Sequence, residues 1–261
     1  MDNYLKIYGL IATGVLGAII GSFMNVCIYR IPRGLSVIRP GSRCPHCKTS
    51  IAFYDNIPII SYLILRGRCR HCGMGISPRY PLIETMNTLL YIFLYLKFGL
   101  SYATLFGFIF VSMLIVISLI DLDHRIIPDS LSFSGIIIGF LSSFFIKTLS
   151  PLQSLLGILV GGGFLFLVAV AYEKIAHKEG MGGGDIKLIA MIGAFTGWQA
   201  IPFVILASSL IGALFGVIYI VLAKKDTKFA IPFGPFLSFA AVLYIFFGPW
   251  LIHWYLSLGK V

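Results

Sequence analysis

The sequence predicts an all-α polytopic membrane protein of about eight transmembrane helices with a small cytosolic zinc-ribbon-like loop. Three observations carry this. The chain is 58% hydrophobic and only 11% charged, with a mean hydropathy of +0.95. Apolar runs of about 17 to 25 residues, each long enough to cross a bilayer core, recur from end to end. The runs are continuous rather than alternating, which excludes a transmembrane β-barrel. The long polar stretch at 31–80 divides the chain into a first transmembrane helix (1–30), a cytosolic four-cysteine loop (31–80) and a membrane bundle (81–261).

The first apolar run, 7–29, carries its positive charge behind it at Arg30, Arg33 and Arg39. A signal peptide has its charge in front, so this helix is expected to be retained. Further helices are expected near 81–97, 102–120, 130–147, 152–172, 186–199, 201–223 and 232–257. The run at 186–199 is the weakest, interrupted by Gly193, Gly197 and Trp198. Nine of the twenty Lys and Arg residues lie between Arg30 and Arg79. With that loop in the cytosol and eight spans, Arg125, Lys174, Lys178, Lys187, Lys224, Lys225 and Lys228 are cytosolic too. Lys6, Lys97, Lys147 and Lys260 face the other side. This obeys the positive-inside rule and predicts an outward N-terminus. The net charge of +10 is therefore a topology signal that also suits anionic headgroups, and no nucleic-acid partner is expected.

Four of the five cysteines form Cys44-Pro-His-Cys47 and Cys69-Arg-His-Cys72, about twenty residues apart. Paired knuckles at this spacing predict a closed, tetrahedral four-thiolate zinc site that is structural rather than catalytic. Pro45, Gly67 and Gly73 suit the tight turns, and nearby arginines offset the thiolate charge. Two disulfides are the rival, disfavoured in the cytosol. His46 and His71 are expected outside the ligand shell, and Cys27 as a small buried residue in the first helix.

Asp121 and Asp185 each stand against a long apolar run in a chain with ten acidic residues. An ionisable group held at a membrane edge is a functional-site hypothesis by default. Chain parity places both at the cytosolic edge, where a pair would share a proton and activate water. Gly182, Gly183 and Gly184 precede Asp185 and would allow close backbone approach and dihedrals closed to other residues. The bland alternative is that Asp185 or Asp129 caps a helix, with Asp123 and Arg125 solvated.

These residues resemble the type IV prepilin peptidases. The resemblance rests on Gly21-Ser-Phe-Met-Asn25-Val-Cys-Ile-Tyr-Arg30-Ile-Pro32, the two cysteine knuckles and Ser77-Pro-Arg79-Tyr80-Pro81-Leu-Ile-Glu84. It extends to Asp121 with Arg125 and Ile127-Pro128-Asp129, and to Gly182-Gly-Gly-Asp185-Ile-Lys187-Leu. It implies a membrane aspartyl peptidase of the bacterial cytoplasmic membrane, with Asp121 and Asp185 catalytic and Gly182, Gly184, Arg125 and Lys187 supporting them. Asp121 is preferred over Asp123 and Asp129 because the family's aspartate lies four residues before the Arg125 equivalent. Substrates would be prepilins or pseudopilins with a short basic leader, cut at the cytosolic face. The new N-terminus would be methylated from S-adenosylmethionine, with Asn25, Arg79, Tyr80 and Glu84 as the residues implied for that step. Glu84 would position the amine, take its proton or pair with an Arg; Lys187 would bias Asp185 or meet lipid phosphate. The alternatives are a peptidase without methylation, a proton-coupled transporter, which would need mid-membrane carboxylates and repeated halves, or a membrane-anchored zinc module. The glycines 161–163 sit in an apolar run and are expected to serve helix packing.

Overall fold

The computed structural model describes residues 2–176, 182–223 and 232–258. Among these, nine α-helices run in order: α1 (Asp2–Arg30), α2 (Ile60–Ile64), α3 (Arg79–Phe98), α4 (Tyr102–His124), α5 (Asp129–Ser142), α6 (Pro151–Ala176), α7 (Gly183–Thr196), α8 (Ala200–Ala223) and α9 (Gly234–Leu258). Each expected apolar run has its helix, and α2 is an addition inside the polar loop. The described residues hold no strand, only two isolated antiparallel bridges.

Helix length supports part of the expected span set. Among the described residues, four stretches are long and apolar enough to cross a membrane by length and composition: Tyr4–Arg33, Tyr102–His124, Pro151–Ile175 and Ala200–Tyr219. By contrast, α5 stops at Ser142, five residues before the expected 147, and α7 has only 14 residues. At 1.5 Å per residue each reaches about 21 Å, short of a core about 30 Å thick. Lys178, Lys224, Lys225, Lys228 and Lys260 fall outside the described residues.

The chain divides into two compact units, Met1–Ser112 and Met113–Val261. In the first, α1 lies along α3 through small residues. A Cβ on Gly17 would meet Thr88 Cα at 2.8 Å, and one on Gly21 would meet Glu84 Cα at 2.7 Å. Close backbone approach of this kind is how helices associate where no hydrophobic drive separates lipid from side chain. Asn87 fixes the register by donating to Gly17 O at 2.8 Å and accepting from Ser112 Oγ.

In the second unit, α7 is enclosed. Leu188 through Ala194 are all buried, so a helix too short to span is held by protein on every side. Gly157 and Gly161 of α6 make this possible: a Cβ on Gly157 would strike the Gly193 backbone, and one on Gly161 would stand 2.9 Å from Ile189 O. The glycine that seemed to weaken the seventh helix is thus its contact point. Gly197, at φ +79°, ends the helix in a conformation that favours glycine.

Candidate active site and metal centre

The two cysteine knuckles fold alike. Cys44 N–H donates to Thr49 O and accepts, through its carbonyl, from Lys48 N–H; Cys69 pairs in the same way with Met74 and Gly73. The turn residue is left-handed in both, Lys48 at φ +61° and Gly73 at φ +70°. Each turn is closed by a bridge, Arg43 to Ser50 and Arg68 to Gly75. This repeat brings all four Sγ atoms within 4.8 Å of one another, with Cys44 and Cys72 3.8 Å apart. A tetrahedron of about 2.3 Å Zn–S bonds has edges of about 3.8 Å, so the donor set fits zinc.

None of the five cysteines is disulfide-bonded, and His46 and His71 stand exposed outside the cluster. Hydrogen bonds from Thr49 lower Cys47 to about 6. Met74 N–H acts to lower Cys72, but desolvation and the three neighbouring thiols outweigh it and push that thiol up to about 11. Thiols this close do not all ionise without a cation among them. Arg70, which was expected to offset thiolate charge, is held elsewhere, by two bonds of 2.6 and 2.7 Å to Asp55. Cys27 is only half-buried rather than buried.

At the start of α3, three of the residues implied for methylation come together. Asn25 Nδ2 donates to Tyr80 O at 3.3 Å. Glu84 is 7% exposed, and its Oε2 accepts from Ile59 N–H at 2.7 Å, with Ser22 of α1 also bonding the carboxylate. Ile59 has φ +64°, a costly conformation for a β-branched residue. Arg79 opens the helix and is half-buried.

Three aspartates near the end of α4 are now distinguished: Asp121 is 6% exposed, whereas Asp123 and Asp129 are exposed. Arg125, at φ +56°, ends α4 by donating its backbone N–H to the Asp121 carbonyl at 2.8 Å. Asp185 lies in the first turn of α7, half-buried and within electrostatic range of Asp121. Ile127 packs on Gly184, the residue before Asp185. A Cβ on Gly184 would stand 2.9 Å from Ile127 Cβ, so that glycine is needed for packing. Gly183 has open space beside it, and Gly182 is exposed.

Several expectations are corrected. Gly182 has φ −67°, and neither Gly183 nor Gly184 is left-handed; the run serves proximity, not unusual dihedrals. Asp129 does not cap α5, whose N-cap is Pro128 without a side-chain bond. Its carboxylate instead takes Lys187 Nζ at 2.6 Å, and Lys187 also lies 5.4 Å from the Phe133 ring centroid. Lys187 is therefore engaged by Asp129.

Sequence reasoning missed Gly234. Its backbone N–H donates to Asp121 Oδ2 at 3.0 Å, and a Cβ there would meet the same oxygen at 2.6 Å. The signal was Pro232-Phe-Gly-Pro235, a proline-bracketed glycine opening the last apolar run. One turn further along α9, the buried Ser238 hydroxyl has no partner among the described residues.

Comparison with known proteins identifies the family. Residues 15–98 match the Bacterial Peptidase A24 N-terminal domain, and residues 108–217 match the Type IV leader peptidase family. A prepilin leader peptidase/N-methyltransferase of Stutzerimonas stutzeri is 36% identical over 95% of this chain and 93% of its own. The chain belongs to the prepilin leader peptidase/N-methyltransferase family. Proteins of the same name from Legionella pneumophila (34% identical, 95% of this chain and 94% of theirs) and Pseudomonas aeruginosa (35%, 95% and 93%) are similar over the same extent. No solved structure matches the chain. The two family matches cover both the α1–α3 cluster and the Asp121–Asp185 pair, whereas Gly234 lies beyond them.

Proposed function

We propose that this protein removes the basic leader of a prepilin or pseudopilin and then methylates the new N-terminal amine. The observation that carries the reading is that buried Asp121 lies within electrostatic range of Asp185 in the first turn of α7, in a chain whose relatives are named for both activities.

Two carboxylates within electrostatic range in a desolvated site favour a state with one proton between them. The ionised member takes a proton from water as the water oxygen attacks the scissile carbonyl carbon. The protonated member gives its proton to the carbonyl oxygen, and a neutral diol results. On collapse, the first carboxyl protonates the leaving nitrogen while the second recovers a proton from the diol. A carboxylic acid and an amine leave, and both aspartates return to their starting states. The exposed backbone at Gly182 and Gly183 leaves room for an extended substrate strand, and Lys187 on Asp129 ties the starts of α5 and α7 beside it.

Eight helices in the membrane with the N-terminus outside would set this site at the cytosolic face, where a leader projects while the pilin helix stays in lipid. The short α5 and α7 then cross only as parts of a protein-lined bundle. Cys44, Cys47, Cys69 and Cys72 would hold zinc, which when bound supplies folding energy to the loop. S-adenosylmethionine is the methyl donor, with Asn25, Tyr80 and Glu84 forming the support beside Arg79. To test the assignment, purified full-length protein is given a synthetic prepilin and labelled S-adenosylmethionine. The expected result is a shortened product carrying label on its new N-terminus. An uncut prepilin would defeat the peptidase assignment, and a cut but unlabelled product would defeat the methylation.

A further inference from the structure

The Asp121 and Asp185 carboxylates differ in what surrounds them. Asp121 Oδ2 accepts the Gly234 backbone N–H at 3.0 Å. Asp185 receives no hydrogen bond to its carboxylate among the described residues. Gly234 is the first residue of α9, so its N–H is one of the donors a helix leaves unsatisfied. Pro235, next in the chain, has none to offer. The start of α9 is thus capped from across the unit by Asp121 rather than by its own sequence.

A helix N-terminus favours negative charge, but Asp185 sits in the first turn of α7 as well, so the dipole does not separate the two. The direct hydrogen bond does. An N–H aimed at a carboxylate oxygen stabilises the charged form over the protonated one. With one proton between the pair, that preference sends the proton to the other member.

We propose that Gly234 is a positioning residue that holds Asp121 as the ionised, water-activating carboxylate, leaving Asp185 as the proton donor to the scissile carbonyl. The assignment rests on the aspartyl-peptidase reading of the pair. It gives a direction to the proton steps: water to Asp121, Asp185 to the carbonyl oxygen, then Asp121 to the leaving nitrogen and the diol proton back to Asp185. It also explains why glycine stands at 234. A Cβ there would lie 2.6 Å from Asp121 Oδ2 and 3.3 Å from Ile127 Cδ1, displacing the carboxylate while leaving the N–H in place.

The test labels the full-length wild-type protein with two reagents of opposite demand. An epoxide is opened by an ionised carboxylate oxygen; a diazoacetyl compound first takes the proton of a carboxylic acid and then esterifies it. Peptide mapping is expected to find the epoxide adduct on Asp121 and the diazoacetyl ester on Asp185, both suppressed by a prepilin peptide. The reverse pattern, or both adducts on one residue, overturns the assignment. In parallel, Gly234→Ala is expected to lose at least tenfold in kcat with KM for prepilin within twofold. Methylation of a precleaved pilin should be unchanged, and epoxide labelling of Asp121 slowed. Gly163→Ala, which meets nothing within 4 Å, serves as the control. Wild-type kcat and labelling in Gly234→Ala would overturn the role of the N–H. Full cleavage by Asp121→Asn would instead defeat the peptidase reading itself, so the two failures are told apart.

Discussion

Glu84 illustrates what a single side chain decides. It was read as a group for the amine or an arginine's partner, yet its carboxylate holds Ile59 N–H and Ser22. The strained Ile59 has Glu84 as the acceptor of its N–H. Removing the acceptor leaves a desolvated donor, at a cost of about 1–3 kcal/mol. Glu84→Ala is therefore expected to reduce methyl transfer to a precleaved pilin by about tenfold while affecting cleavage less. Glu84→Gln, which keeps an acceptor oxygen, should retain most of it. Equal loss in Gln and Ala variants of normal thermal stability would show that the charge itself is needed. The Lys187–Asp129 pair lies at the other extreme. Both partners are substantially exposed, so Lys187→Met should cost no more than about 1 kcal/mol in thermal unfolding.

Between elements, glycine does most of the specifying, at α1 against α3 and at α6 against α7. Adding volume where backbones touch costs about 1–3 kcal/mol or more. Gly157→Ala, whose Cβ would strike Gly193, is expected to lower the unfolding temperature in detergent clearly. Gly163→Ala on the same helix should be neutral or slightly favourable, since alanine is the better helix former. Equal effects would contradict the packing read for α6 and α7. Hydropathy located these helices because transfer from water to lipid depends on composition. It did not reveal that α5 and α7 are short, because apolarity does not say whether a residue faces lipid or protein. Leu188 to Ala194 are apolar and enclosed, and nothing in their spelling separates them from a lipid-facing run.

At the scale of the whole molecule, the residues proposed for the two chemistries fall in separate compact units. The four-cysteine cluster was legible because thiolate ligands need a fixed spacing in sequence. The aspartyl site was only half legible. Asp121 and Asp185 were found because charge is scarce in this chain, whereas Gly234 contributes a backbone N–H, a group every non-proline residue possesses. Ile127 was likewise hidden, as a packing contact is defined by what lies against it. Metal removal should separate the units functionally. Chelation is expected to unfold residues 44–72 and abolish methylation before cleavage declines, as followed by amide exchange and both assays. Normal methylation with all four cysteines replaced would contradict the zinc reading.

The central claim is that Asp121 and Asp185 together perform the cut. Its most direct test is prepilin cleavage by wild type, Asp121→Asn and Asp185→Asn, with methylation of a precleaved pilin as the measure of an intact fold. Both variants are expected to lose cleavage by several orders of magnitude and to keep methylating. Cleavage retained in either variant would contradict the account and leave that aspartate a structural group.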